Sequence, residues 1–185
     1  MLGLAAACYL DPAHGTAERE KIFDRSWQFV CHESDLPAAG TAIRFDCDGR
    51  SAVVLRGRDG PLHGFRNVCR HRGSRLVDGD AHTGLAFCVD AHLRCPYHGW
   101  TYDEYGTLIS VPSGQQYQPS ELVDSSLQTV QVARWHGFVF IAFGSPATPL
   151  EQAIGGPHEQ ATPAATQGLR RLGEPRLHEI GRAHV

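Results

Sequence analysis

Residues 94–103 read RCPYHGWTYD, with Cys95 and His98 three apart, and residues 68–75 read VCRHRGSR, with Cys69 and His71 two apart. Each stretch offers one thiol and one imidazole, and both groups bind transition metals. Two chemistries suit such a set. One zinc ion held tetrahedrally by all four side chains would brace the chain and do nothing else. Alternatively, Cys69 and Cys95 hold one iron while His71 and His98 hold a second, in a [2Fe–2S] cluster. Neutral imidazoles in place of two anionic thiolates make such a cluster less negative, and raise its potential to roughly −150 to +300 mV. That centre would pass single electrons and perform no substrate chemistry.

The neighbours of these residues favour the cluster. Gly73 lies two residues after His71, and Gly99 directly follows His98. A glycine lets backbone N–H groups approach bridging sulfides, which need donors. Pro96 stiffens the second loop. Trp100 is read as a cover over the cluster loop, as a core tryptophan, or as both. Arg70, Arg72 and Arg75 surround the first loop. They present either a face for acidic groups of a redox partner or neighbouring domain, or a solvated loop with local salt bridges.

A connector of 23 residues, 72–94, separates His71 from Cys95. Within it Cys88 offers a rival ligand, but His92 lies one residue too far for the Cys-x-x-His spacing and no Gly-Trp follows it. Cys88 is therefore read as a structural thiol, and LAFCVDAHLR as a longer hairpin ahead of the second loop. Cys8, Cys31 and Cys47 are read as inert. His14, His32, His63, His82, His136 and His158 are read as ordinary surface or core histidines.

Short strands must position these loops. IRFDC alternates, with Ile43, Phe45 and Cys47 on one side. Asp48-Gly49 then predicts a tight hairpin into SAVVLR, and Asp59-Gly60 a turn into LHGFRNV. Further strands are expected in TLIS (107–110), LQTVQV (127–132) and FVFIAF (138–143), the last apolar on both faces and so central. Residues 16–27 predict a short helix capped by Thr16, with Phe23 and Trp27 on one face. The sum is an all-β-dominated fold: a small antiparallel barrel or sandwich with a cluster-binding subdomain and a short N-terminal helix.

Composition agrees with a folded protein: 185 residues, 42% hydrophobic and 20% charged, with a net charge of −3. No basic field suggests nucleic acid, and no apolar run approaches the roughly 20 residues of a membrane helix. MLGLAAAC lacks a positive leader region and is read as an ordinary tail, which implies a cytoplasmic protein whose six cysteines serve metal rather than disulfides.

CRHRG together with CPYHGW resembles the Rieske domain of the ring-hydroxylating, or Rieske non-haem iron, oxygenases. The resemblance covers about residues 9–143 and includes the lead-in IFDRSWQFVCHESDLP, similar to the corresponding part of oxygenase α subunits. It implies a Rieske-type β fold and a [2Fe–2S] cluster held by Cys69, His71, Cys95 and His98. It also implies an oxidoreductase: electrons from an NAD(P)H-dependent reductase or ferredoxin would reach a mononuclear Fe(II) centre that drives mono- or dioxygenation, such as aromatic ring hydroxylation. Neighbouring oxygenase subunits would be further partners. In respiratory-type Rieske proteins each loop carries an extra cysteine, and the two form a disulfide. Ser74 and Tyr97 stand at those positions here.

No carboxylate and histidine pair has the helical spacing of an Fe(II) site, so no catalytic residue is expected in these residues, which read as a fragment. The expected organisation is an N-terminal helix and lead-in (1–40), a Rieske domain (41–145), and a linker or the start of a catalytic domain (146–178). Residues 179–185 look like a translated sequencing adapter. A free Rieske ferredoxin and a zinc-braced module are the rival readings.

Overall fold

A computed structural model describes residues 5–80, 83–118, 120 and 122–155. His82, His158 and the adapter-like residues 179–185 lie outside them. The chain opens with helices α1 (Ala7–Leu10) and α2 (Pro12–Lys21), then a 3-10 turn at Phe23–Arg25. Helix α2 begins earlier than the Thr16 cap predicted. The Asp11 side chain accepts the Ala13 N–H at 2.9 Å and Pro12 occupies the first turn, a stronger start signal than threonine. Thr16 sits inside the helix and donates to the Pro12 carbonyl instead. The expected helix over 16–27 therefore ends at Lys21, and Trp27 lies beyond it.

Ten strands follow. They are β1 (Gln28–His32), β2 (Thr41–Cys47), β3 (Arg50–Arg56), β4 (Leu62–Arg66) and β5 (Leu85–Phe87), then β6 (Leu93–Arg94), β7 (Thr101–Tyr102), β8 (Leu108–Ser110), β9 (Gln131–Trp135) and β10 (Phe138–Ala142). They form three antiparallel sheets, in the orders β1-β10-β9, β4-β3-β2-β5 and β6-β7-β8. The antiparallel, strand-dominated fold read from the sequence is the one observed. Cys47 pairs with Arg50 across Asp48-Gly49, both in the left-handed region as a type I′ turn requires. Strand β10 is central in its sheet, as its apolar faces predicted.

Two expectations need correction. LAFCVDAHLR is not a hairpin: β5 adds to the edge of the middle sheet beside β2, whereas β6 pairs with β7 in the third. Asp90 and Ala91, both at positive φ, turn the chain between the two. LQTVQV is not one strand either. Residues 127–130 run irregularly along β4, with Val130 donating to the Gly64 carbonyl, and β9 starts only at Gln131.

Sheet β4-β3-β2-β5 is the middle layer. Ala42, Val53, Leu55 and Phe65 face one core with Leu93, Trp100 and Tyr102, whereas Ile43, Ala52 and Val54 face another with Cys31, Val139 and Ile141. Strand alternation thus feeds two cores from one sheet. After β10, the turn-like helix α3 (Leu150–Ile154) buries Leu150, and the Trp27 indole N–H donates to the Thr148 carbonyl at 3.0 Å.

Candidate metal centre

The two Cys/His stretches fold into matching loops. The first leaves β4, and the second joins β6 to β7. In each, the cysteine N–H donates to the carbonyl five residues on, Ser74 or Trp100, at 2.8 Å. In each, a glycine N–H four residues on, Gly73 or Gly99, donates back to the cysteine carbonyl at 3.0 Å. Both glycines hold φ near +70° (71° and 73°), a region that side chains disfavour. At Gly99 a Cβ would also press on Pro112, 3.0 Å away. The difference in Cys-to-His spacing is absorbed within otherwise equivalent turns.

The four side chains sort by type. Cys69 and Cys95 are 2% and 3% exposed and belong to the core between the middle sheet and the third sheet. His71 is half-buried and His98 exposed, with ring centroids 4.8 Å apart. The result is a buried sulfur pair beneath a surface imidazole pair. Among the described residues no three Cys, His, Asp or Glu side chains converge as ligands of a single ion do. Two pairs suit two irons better than one tetrahedral zinc, which draws all its ligands to one point.

The surrounding groups fit a cluster too. The Tyr102 hydroxyl accepts the Arg70 N–H at 3.1 Å, which leaves its own proton to donate to Cys69 Sγ, 3.3 Å away. Burial pushes the Cys69 thiol up, and the neighbouring Cys95 adds to this; Tyr102 and the His71 backbone N–H oppose it by favouring thiolate. Burial also raises the Tyr102 phenol, which keeps it a protonated donor. Desolvation lowers the His71 imidazole, with His98 and Arg72 acting in the same sense, so it stays neutral as ligation requires. Trp100 is both things the sequence allowed: a buried core residue and a plate stacked on His71. Pro96 is exposed at the second loop, and the Tyr97 ring tilts against His98 with centroids 3.8 Å apart.

Cys88 stands apart. Its N–H donates to the Gly40 carbonyl at the edge of the middle sheet, its side chain packs against the core, and burial raises its thiol to about 11. Of the loop arginines, Arg75 lies 4.0 Å from Asp46 and Arg70 donates to the Asp124 carbonyl at 3.3 Å.

Sequence reasoning missed three residues. Tyr102, on β7, lies two residues after Trp100, and both side chains enter the core that holds the two cysteines. Tyr117 brings its hydroxyl 3.4 Å from His71 Nε2, which leaves Nδ1 available to a ligand. Asn67 is fully buried: its Oδ1 accepts the Leu76 and Val77 N–H groups, and its Nδ2 donates to Ser51 Oγ and the Val77 carbonyl. A polar residue at the end of the LHGFRN stretch, two positions before Cys69, was its only signal.

Comparison with known proteins gives these loops a family. The profile of the Rieske [2Fe-2S] domain matches residues 26–132, and the chain belongs to that family. It is 34% identical over 141 residues to the large oxygenase component of the 2,4-dinitrotoluene dioxygenase system of Burkholderia sp. strain RASC, covering 75% of this chain and 30% of the relative. It is 33% identical over 153 residues to the carnitine monooxygenase oxygenase subunit of Escherichia coli K12, covering 83% and 39%. A crystal structure of the quaternary ammonium Rieske monooxygenase CntA with an inhibitor superposes with a TM-score of 0.72 at 31% identity, over 83% of this chain and 41% of that one. The chain thus spans about a third of the length of the oxygenase subunits it matches. Among the described residues no helix is long and apolar enough to cross a membrane.

Proposed function

We propose that this chain is the electron-transfer domain of a Rieske oxygenase large subunit, with Cys69 and Cys95 holding one iron of a [2Fe–2S] cluster and His71 and His98 the other. The observation that carries the reading is the sorting of four ligand side chains, on two matching loops, into a buried sulfur pair and a surface imidazole pair. When bound, such a cluster accepts and releases one electron at a time. The protein groups divide the remaining work. The buried cysteines keep water from the sulfur side. Tyr102 holds a proton toward Cys69, and Gly73 and Gly99 let the loops turn tightly. Trp100 fixes the plane of His71, and exposed His98 brings the centre within reach of a partner.

The electron source in this reading is an NAD(P)H-dependent reductase or ferredoxin. The destination is a mononuclear Fe(II) centre in polypeptide beyond residues 1–178, or in a neighbouring subunit. There, O2-dependent mono- or dioxygenation would take place, and these residues would contribute no catalytic group to it. Residues 1–40 serve as the lead-in, 41–145 as the cluster domain, and 146–178 as the passage to the catalytic part.

The test is metal and sulfide analysis of purified, reconstituted protein. The reading expects a red-brown chain with about two irons and two acid-labile sulfides. Cys95→Ser abolishes the colour and Cys88→Ser keeps it. One equivalent of zinc without sulfide would replace this reading with the structural one.

A further inference from the structure

The segment after β8 touches both Cys/His loops. Pro112 packs over Gly99 of the second loop, its Cγ 3.0 Å from where a Cβ would stand. Ser113, at φ 58°, then turns the chain, and a 3-10 turn at Gly114–Gln116 delivers Tyr117 to His71 of the first loop. Tyr117 is half-buried and packs against the core that holds both cysteines. Its ring stands nearly perpendicular to the rings of His71 and Trp100, at 85° and 80°. Its hydroxyl lies 3.4 Å from His71 Nε2.

Trp100 alone does not orient His71. A stacked plate fixes the plane of the imidazole. A half-turn about Cβ–Cγ keeps that plane and exchanges Nδ1 with Cδ2 and Nε2 with Cε1. The ring has nearly the same shape either way, so packing does not choose between the two. A polar group at one edge does choose, because the flipped ring would set Cε1 against the phenol and lose the hydrogen bond. His98 differs. It is exposed, and among the described residues its ring meets the His71 and Tyr97 rings and makes no hydrogen bond.

We infer that Tyr117 is a positioning residue that also sets the potential of the electron-transfer site: its phenol oxygen accepts the His71 Nε2–H, which locks the ring's orientation and lowers the midpoint. This rests on the electron-transfer reading above. An imidazole that binds metal through Nδ1 carries its proton on Nε2, so the phenol oxygen is the acceptor. Accepting that proton makes the imidazole a stronger electron donor to the metal. A stronger donor favours the oxidised state, so the midpoint falls. Tyr102 acts in the opposite sense, because it donates to a sulfur atom rather than accepting from a nitrogen. Two phenols at one site thus pull its potential in opposite directions.

Voltammetry and pulsed EPR on the red-brown protein, at one pH, test this. Tyr117→Phe keeps the ring and its packing and removes only the hydroxyl. Its midpoint should rise, so that the ratio of reduced to oxidised protein against a fixed mediator increases about threefold, the worth of one modest hydrogen bond. In the reduced protein, the quadrupole coupling of the remote nitrogen should change for one imidazole and not for the other. Tyr9→Phe, which removes an exposed phenol from α1, leaves both readings unchanged. A red-brown Tyr117→Phe protein with the parent's midpoint and couplings, or with a lower midpoint, overturns the role of Tyr117 and leaves the electron-transfer reading standing. A parent protein that stays colourless on reconstitution overturns that reading instead. Nitrogen-15 NMR of its His71 ring then decides the contact, which stands if the Nε2 signal shifts in Tyr117→Phe and falls if it does not.

Discussion

Trp100 lies flat on His71, with ring planes 6° apart and centroids 4.8 Å apart, so the second cluster loop clamps the imidazole of the first. Tyr117 meets the edge of both rings, with centroids 6.3 Å from His71 and 5.8 Å from Trp100. Trp100 is also buried in the core that holds both cysteines. Its removal should therefore be felt in stability and in cluster retention together. Trp100→Ala is expected to cost about 3–5 kcal/mol and to lower iron content per chain. Trp100→Phe keeps a flat ring and should retain most of both. Denaturant melts alongside iron assays check this; an alanine variant that keeps its iron would show that the stacking holds nothing.

Tyr102 gives a prediction about potential. The sequence offered few donors to the cluster: Trp100 stands where respiratory-type Rieske proteins usually carry a serine, and no disulfide closes the loops. That points to the low end of the Rieske range. The Tyr102 hydroxyl supplies a donor to Cys69 Sγ, and a donor stabilises the more negative, reduced state. Tyr102→Phe should lower the midpoint by about 40 mV, the equivalent of roughly 1 kcal/mol for one hydrogen bond in a one-electron couple. Voltammetry at fixed pH measures it, and an unchanged or higher midpoint would remove Tyr102 from the set of tuning residues.

What the sequence disclosed and what it hid divide along physical lines. The Asp48-Gly49 hairpin, central β10 and the paired loops were legible because each depends on local chemistry: left-handed turn residues, a doubly apolar run, ligand spacing. The edge position of β5 was not, because a three-residue strand is decided by which sheet it can reach rather than by its own residues. Asn67, Tyr102 and Tyr117 were hidden for a related reason. Their partners lie 9 to 46 positions away in the chain, and no spacing rule announces such contacts.

Asn67 makes the sharpest stability prediction. Its amide pins residues 76–77, just past the first loop, to the strand end just before it. Asn67→Ala would leave two buried N–H groups and a carbonyl without their partner. The expected loss is about 3 kcal/mol, read as a lower urea midpoint with an unchanged m-value. A loss below about 0.5 kcal/mol, that of an ordinary surface site, would mean that water or a backbone shift replaces the amide.

Glu104 carries a pH dependence. This buried carboxylate accepts the Arg58 N–H at 2.6 Å and the Arg58 Nε–H at 2.9 Å. The Arg58 backbone N–H is the main cause that holds the Glu104 carboxyl below its ordinary range; burial opposes this, and the guanidinium reinforces it. Folding therefore favours the ionised form. The stabilisation is complete above the unfolded value of roughly 4.3 and is lost as pH falls through the lower folded value. Glu104→Gln should be less stable than the parent at pH 7, and the gap should close as pH drops below about 4. Urea midpoints from pH 7 to pH 2.5 decide it: parallel curves for the two proteins would exclude Glu104 as the titrating group.

Val53 and Val54 are adjacent in the chain yet belong to opposite cores of the molecule, one beneath the cluster loops and one beneath β10. A sheet that serves two cores has no spare face on which an error can hide. Deleting or inserting one residue in β3 would send every side chain of that strand to the wrong compartment, so both compartments would misfit at once. A change confined to the far core therefore reaches the two Cys/His loops through shared backbone, with no chain of side-chain contacts in between. In a library of random variants, intolerance should run along β3 without a break, and the map of damage would show a continuous line where an ordinary surface strand shows dots.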